Sequence, residues 1–270
     1  FKLALRDLDF IQLIFYASGV TLIILFLFLV FQGKLGEVFR QTPMQILNSA
    51  LVGALNPLIY YLILFKAYSL LPAQLAQPLN MVWPITLALL SVPLLNQRIG
   101  WVSLVALFIS FTGVIFISSQ GGITNFKNTS VPGVLLALAS SIVWSLYWIL
   151  NVRDKRDEIV KLFLNFLFGF IFLAVAVGLF STFRINTGNG FYAAIYIGIF
   201  EAGVTYIFWM KALKYSTNNA RIGNFIFLSP FISLIFIHFI LHETIYITTF
   251  IGLVFIVAGI FIQQLDKKRT

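Results

Sequence analysis

The stretch FYAAIYIGIFEAGVTYIFWMKALKYSTNNARIGNFIFLSPF, Phe191–Phe231, decides how the rest of the chain is read. It reads as one long apolar helix, a short basic break at Lys211–Asn219, and the start of another helix. A helix needs about 20 apolar residues to cross a bilayer, which puts Glu201 near the middle of the first one. A carboxylate at that depth is costly unless it faces a bundle interior or water, so it is a functional candidate by default. The plainer alternative is a hydrogen-bonded Glu that only joins helices, a task neutral side chains perform at less cost.

Working outward, the whole chain has the same character. Of its 270 residues 60% are hydrophobic and 10% charged, with a mean hydropathy of +0.97; soluble domains carry about 25% charged residues. The apolar runs are long and lack the alternation of an outer-membrane barrel, so the fold class is an all-α integral membrane protein. The net charge of +9 comes from basic residues set singly or in short groups between apolar runs. That spacing suits topology determinants rather than a phosphate-binding face, and no nucleic-acid partner is expected. The chain has no Cys, which excludes a disulfide framework, a thiol nucleophile and a thiolate metal site. His238 and His242 stand four apart without an HExxH arrangement, and no metal site is expected.

In order, the expected spans are Phe10–Phe31, Met44–Phe65, Ala73–Leu94, Ile99–Ser119, Pro132–Leu150, Leu162–Phe180, the Glu201 helix, Ala220–Leu241 and Tyr246–Gln264. Phe1–Leu5 reads as the tail of a further span, so nine spans plus this fragment suggest a ten-helix bundle. The loop Gln120–Val131, QGGITNFKNTSV, is the clearest break in composition and marks the half-boundary. Asn151–Lys161, NVRDKRDEIVK, is the most charged loop. With the C-terminus inside, 13 of the 18 Lys and Arg residues fall on the inner side, and both termini are expected in the cytoplasm.

The two halves resemble each other at a nearly fixed offset. Asn56 matches Glu201, and Lys66-Ala67 matches Lys211-Ala212, at 145; Pro84 matches Pro230, Leu95 matches Leu241 and Gly113 matches Gly259 at 146. A duplicated unit of five helices must place its copies in opposite orientations, the inverted-repeat plan of secondary transporters with a site near the midplane.

These residues also carry a family resemblance. LLPAQLAQPLNMVWPITLALLSVPLLNQRIGWVSLVALFISFTGVIFI in the first half, and LSPFISLIFIHFILHETIYITTFIGLVFIVAGIFI in the second, resemble the paired EamA domains of the drug/metabolite transporter superfamily. Pro230, the Leu241-His242-Glu243 turn and the Gly252/Gly259 pair fit that pattern best; Gln97 replaces the Glu of the turn in the first half. Ala137–Arg153 resembles the family's sixth helix and, less specifically, its aromatic amino acid exporters. The resemblance implies a first repeat over residues 1–120 with its first helix truncated, a linker at 121–131, a second repeat at 132–265 and a basic tail at 266–270. It also implies a non-enzymatic secondary transporter of the inner membrane that moves a small metabolite, an amino acid or related amphipathic solute, outward by alternating access. A lipid or drug translocator of the same superfamily is the alternative.

The candidate binding residues follow from the repeat and from helical spacing. Asn56 and Glu201 are equivalent, one a neutral amide and the other a carboxylate that would hold a coupling proton or a substrate ammonium. Tyr60 and Thr205 lie one ideal turn further on. Gln74, Gln77 and Asn80 form a stripe expected to point inward, although helix–helix hydrogen bonding explains such stripes as well. Trp144 and Tyr147, with Ser140 and Trp148, are candidates for an aromatic wall, and Asn224 is the inward polar candidate of its helix. Lys66 and Lys211 read as end-of-helix anchors, Arg221 as a snorkelling residue, Glu243 as a cap, and Pro78, Pro84 and Pro230 as kinks. No cofactor is expected beyond a proton; the expected partners are the solute and the bilayer, in a monomer or weak dimer.

Overall fold

The computed structural model describes residues 4–95, 101–119, 129–183, 188–208, 236, 238–240 and 245–266. Asn224, Lys211, Arg221, Pro230, His242, Glu243 and most of the expected Ala220–Leu241 span lie outside them. The helices are α1 (Phe10–Phe31), α2 (Leu35–Val38), α3 (Pro43–Gly53), α4 (Tyr60–Leu70), α5 (Ala73–Asn80), α6 (Trp83–Leu95), α7 (Trp101–Ser118), α8 (Val131–Arg153), α9 (Glu158–Phe180), α10 (Asn189–Tyr196) and α11 (Ile247–Asp266). Among the described residues, five continuous stretches are long and apolar enough to span a membrane: Phe10–Phe31, Pro43–Leu70, Val131–Arg153, Glu158–Phe180 and Asn189–Phe208. Large apolar side chains at helical spacing, such as Ile171, Val175 and Leu179 on α9 or Phe108, Phe111 and Ile115 on α7, are exposed as a lipid-facing surface requires.

Local chemistry sets the helix starts. Asp9 Oδ1 accepts from the backbone N–H of Ile11 and Gln12 at 2.8 and 2.9 Å, and the Gln12 amide oxygen accepts from Asp9 N–H, a capping box that opens α1. Thr42 and Gln45 do the same for α3, whose first residue is Pro43. Asp157 caps α9 by accepting from Ile159 and Val160.

Three expected elements differ. The Ala73–Leu94 span is two helices, α5 and α6, with a break at Met81-Val82. Pro84 brings no N–H for the carbonyl four residues back, so one helix ends where the next begins. The expected span ending at Phe65 continues as helix to Leu70, and its interior is not uniform. Ala54–Ile59 joins α3 to α4 as a wide turn of π type, with Asn56 at φ −147°, ψ 122° and a cis Asn56–Pro57 bond. The Glu201 helix is likewise not one regular rod: Ile197–Val204 is a second π-type turn after α10.

The chain forms two compact units, each drawing on both halves of the sequence. The first comprises Phe1–Phe65 and Leu150–Ser216, the second Lys66–Ile149 and Thr217–Thr270.

In the first unit, the Asn56 turn packs on α9 and the Glu201 turn on α1. A Cβ on Gly53 would stand 2.2 Å from the Asn165 carbonyl oxygen of α9, and one on Gly198 would stand 2.5 Å from the Ala17 carbonyl oxygen of α1. Gly53 and Gly198 are themselves 145 apart, and only glycine permits so close a backbone approach.

In the second unit the close approach between α7 and α11 is reciprocal. A Cβ on Gly113 would lie 2.4 Å from Gly252 O, and one on Gly252 would lie 2.5 Å from Gly113 O. Gly259 meets Ala106 O in the same way, at 2.6 Å.

Candidate functional site

Within the first unit the two wide turns face each other through their polar side chains. The Asn56 Nδ2 amide donates to the Tyr206 hydroxyl at 3.1 Å, and the Tyr61 hydroxyl donates to Glu201 Oε1 at 3.4 Å. Tyr61 and Tyr206 also hydrogen-bond to each other, which joins Asn56, Tyr206, Tyr61 and Glu201 in one run. The contacts are crossed. Asn56 and Glu201 are equivalent at an offset of 145, Tyr61 and Tyr206 are equivalent at the same offset, and each turn's polar residue bonds to the other repeat's tyrosine.

Sequence reasoning missed Tyr61 and Tyr206 because it took the next residue on the face as i+4. A π-type turn holds more residues per turn, with i→i+5 bonding, and the observed partners stand five residues beyond Asn56 and Glu201. The signal was present: a Tyr at 61 and another at 206, at the repeat offset.

Glycine and threonine hold the Glu201 turn. Gly198 brings it against α1, where the Thr21 hydroxyl, fully buried, donates to Gly198 O at 2.9 Å and to Ala17 O at 3.0 Å. Beside it, Tyr61, Ser18, Thr21, Phe65 and Phe166 line a small cavity with room for about one water molecule. Asn56 is fully buried, and its Oδ1 has no hydrogen-bond partner among the described residues.

The other candidates take different places. Tyr60 is buried with its ring edge-on to Tyr61, centroids 5.0 Å apart. Thr205 is exposed, and its hydroxyl donates to Phe200 O of its own turn.

In the second unit Asn80 is buried and donates to Ser140 Oγ at 2.8 Å, joining α5 to α8. Gln77 is half-buried on α5. Trp144 stacks on Tyr147 at 5.6 Å and meets Trp148 edge-on at 5.7 Å, with Tyr147 fully buried. Among the described residues no three His, Cys, Asp or Glu side chains gather as a metal site.

In the charged loop Asn151–Lys161, Asp154, Arg156 and Lys161 are folded inward, while Val152, Arg153 and Lys155 are exposed. Arg156 forks onto Asp154 at 2.5 Å, donates to Ser49 Oγ at 2.8 Å and reaches Gln41 Oε1 at 3.1 Å; its side chain and that of Asp154 are 8% and 9% exposed. Burial pushes the Asp154 carboxyl up, but its bonds from Arg156 outweigh this and hold it below the ordinary range. The buried Lys161 ammonium donates to the carbonyls of Asn151 and Asp154, satisfying the end of α8. Lys34 pairs with Asp157 at 2.6 Å. Burial raises the Asp157 carboxyl, and Lys34 together with two backbone N–H groups overcomes this and depresses it. The same hydrogen bond raises the Lys34 ammonium.

Apolar spanning helices, glycine-mediated packing and a carboxylate held in a broken membrane helix define a multi-pass membrane protein of the transporter class. The chain belongs to the EamA-like transporter family, which matches residues 1–119 and 131–263. It is 28% identical over 185 residues to an uncharacterized transporter of Clostridium kluyveri, covering 66% of this chain and 58% of that one. It is 23% identical over 250 residues to the uncharacterized transporter YyaM of Bacillus subtilis, covering 90% and 80%. It is 25% identical over 163 residues to the aromatic amino acid exporter YddG of Ancylobacter novellus, covering 57% and 54%. The chain thus spans under two thirds of the length of several curated relatives it matches, including 58% of an uncharacterized transporter of Archaeoglobus fulgidus. A protein crystal structure shares the fold with a TM-score of 0.69 at 20% identity, over 98% of this chain and 91% of the other.

Proposed function

We propose that the chain is a secondary transporter built of two inverted five-helix repeats, moving an amino acid or related amphipathic solute outward by alternating access. In this reading both termini face the cytoplasm of an inner membrane. Glu201 carries the coupling proton or neutralises the solute's amine. The observation that supports the reading is the crossed pairing of Asn56 with Tyr206 and of Tyr61 with Glu201, which joins the one carboxylate to residues that match at an offset of 145. The close backbone approaches at Gly53 and Gly198, which stand 145 apart, and the reciprocal contact of Gly113 with Gly252 support the same reading. The aromatic amino acid exporter among the relatives favours that solute class. A carboxylate recognises an ammonium, and the tyrosines beside it offer rings to an apolar side chain.

The test is a thermal-shift screen of purified protein against amino acids and amines, followed by transport in liposomes, with Glu201→Gln alongside. A ligand at a hundred times its Kd stabilises the folded state by about 2.7 kcal/mol. We expect aromatic or other apolar amino acids to raise the melting temperature, and Glu201→Gln to abolish transport while leaving the protein folded. Unchanged transport in that variant refutes the role given to Glu201. Stabilisation by lipids or drugs and by no amino acid refutes the solute class.

A further inference from the structure

We propose that Asn56 is the reversible terminus of a hydrogen-bond chain, Asn56–Tyr206–Tyr61–Glu201, whose direction turns round when Glu201 takes up a proton. The inference rests on the arm of the functional reading in which Glu201 carries the coupling proton. Asn56 is a positioning residue here, since it acts on Glu201 only through two tyrosines.

The argument is one of donors and acceptors. A carboxylate only accepts, a tyrosine hydroxyl has one proton to give, and a carboxamide gives from nitrogen and accepts at oxygen. With Glu201 ionised, Tyr61 spends its proton on Glu201 Oε1, at 3.4 Å. The Tyr61 oxygen is then left to accept from Tyr206, its hydrogen-bond partner. Tyr206 in turn accepts from Asn56 Nδ2, at 3.1 Å. Every proton in the run points toward Glu201, and Asn56 Oδ1 at the far end has no partner among the described residues, although the residue is fully buried. That orphan acceptor is the observation that needs a reason, since a buried polar atom without a partner is costly.

Protonation supplies the reason. Neutral Glu201 holds an O–H and donates it to the Tyr61 oxygen. Tyr61 then gives its own proton to Tyr206, and Tyr206 needs an acceptor. Half a turn of the Asn56 amide brings Oδ1 to the place Nδ2 held, and the orphan atom becomes that acceptor. No bond breaks apart from the proton's transfer from water to Glu201; the remaining steps are hydroxyl rotations and one amide rotation. A carboxamide can end the chain in both directions, and a side chain that only donates or only accepts cannot. Because Asn56 sits in the Ala54–Ile59 wide turn, the charge of Glu201 is felt in the other repeat's broken helix.

The surroundings suit such a relay. Tyr60 lies edge-on to Tyr61 and is the further titratable group beside it. The two helices packed on the Glu201 turn, α1 and α10, contain no Asp, Glu, Lys, Arg or His; their titratable groups are Tyr16, Tyr192 and Tyr196.

The experiment is infrared difference spectroscopy of the purified protein in detergent on acidification. The Glu201 carboxylic acid C=O band is assigned by its loss in Glu201→Gln. In the native protein Tyr61 accepts from protonated Glu201, so the C=O is free of its donation and absorbs high in the carboxylic range. Tyr206→Phe leaves Tyr61 without its onward acceptor, and Asn56→Leu leaves Tyr206 without one, so that Tyr206 donates back to Tyr61. In either variant Tyr61 then donates to the Glu201 C=O, and the band moves to lower frequency. Tyr206→Phe keeps shape and burial, so it tests the inference even if Asn56→Leu does not fold. A band unmoved in Tyr206→Phe overturns the chain while leaving Glu201 as a proton carrier. A native protein with no band that Glu201→Gln removes overturns the coupling-proton arm, and the inference falls with it.

Discussion

Replacing Gly113 by Ala tests the packing of α7 against α11 and the reciprocity of that packing together. The new Cβ would lie 2.4 Å from Gly252 O, 2.8 Å from Ile256 Cγ1 and 3.0 Å from Ile256 N. Ordinary contact begins near 3.4 Å, so the helices must separate by about 1 Å, and two of the three obstructing atoms are backbone that no rotamer change moves. Overpacking of a well-packed interface costs about 1–3 kcal/mol, and a clash with backbone belongs at the upper end, about 3 kcal/mol. Gly252→Ala meets the mirror-image obstacle, 2.5 Å from Gly113 O, and has the same expected cost. The pair must not add. Once one methyl has pushed the helices apart, the second enters space already opened, so the double variant is expected to cost about 3–4 kcal/mol rather than about 6, a coupling of the size contacting residues show. Reversible unfolding of the purified variants in mixed detergent measures all four corners of the cycle. Single costs below about 0.5 kcal/mol, or strict additivity, refute the close approach described for α7 and α11.

Other predictions concern the first unit. Asp157 has a depressed carboxyl, so its ion pair with Lys34 contributes stability above the unfolded-state value near 4 and loses it as pH falls through the lower folded value. Asp157→Asn, which keeps a capping side chain, should therefore cost about 0.5 kcal/mol at neutral pH and nothing at the acid end of a pH-dependent melt. Arg156→Ala strands the buried Asp154 carboxylate and should cost about 3 kcal/mol in the same unfolding assay; Arg156→Lys recovers only part, since an ammonium cannot reproduce the fork. Thr205→Val, which removes a hydroxyl bonded to its own turn on an exposed face, should leave transport within about twofold of native, a change below 1 kcal/mol.

How much of this was legible in the sequence depended on the kind of physics involved. Hydropathy located Phe10–Phe31 at both ends, because the Asp9 capping box marks where the apolar run starts. The offset of 145 matched Asn56 to Glu201, and each lies in a wide turn. Hydropathy averages over a window, however, and a π-type turn adds too little to a helix to change any average, so both wide turns were invisible to it. The cost was specific: Tyr60 and Thr205 were chosen on ideal spacing, one residue short of Tyr61 and Tyr206. The inward packing in the Asn151–Lys161 loop was not legible for a different reason: composition does not show which charges pair, and Asp154, Arg156 and Lys161 pair with one another and with helix ends, and so can be buried.

The symmetry and the asymmetry of the chain have separate uses. Gly53 and Gly198, Tyr61 and Tyr206, and the wide turns that precede each tyrosine repeat at one offset because a duplicated scaffold must close on itself the same way twice. If that symmetry extended to the polar residues, two carboxylates would meet through two tyrosines, and like charges at bilayer depth would have to be neutralised together. The amide at Asn56 removes one of them while keeping a group that hydrogen-bonds to the facing tyrosine. Asn56→Asp restores the missing symmetry and is therefore the perturbation to which the site should be most sensitive. A second carboxyl could accept from Tyr206 but, ionised, could not donate to it. The prediction is loss of transport in Asn56→Asp at neutral pH with partial recovery on acidification, when the new carboxyl regains a proton to give; equal loss at every pH would show that the amide's shape, not its capacity to donate, is what the site requires.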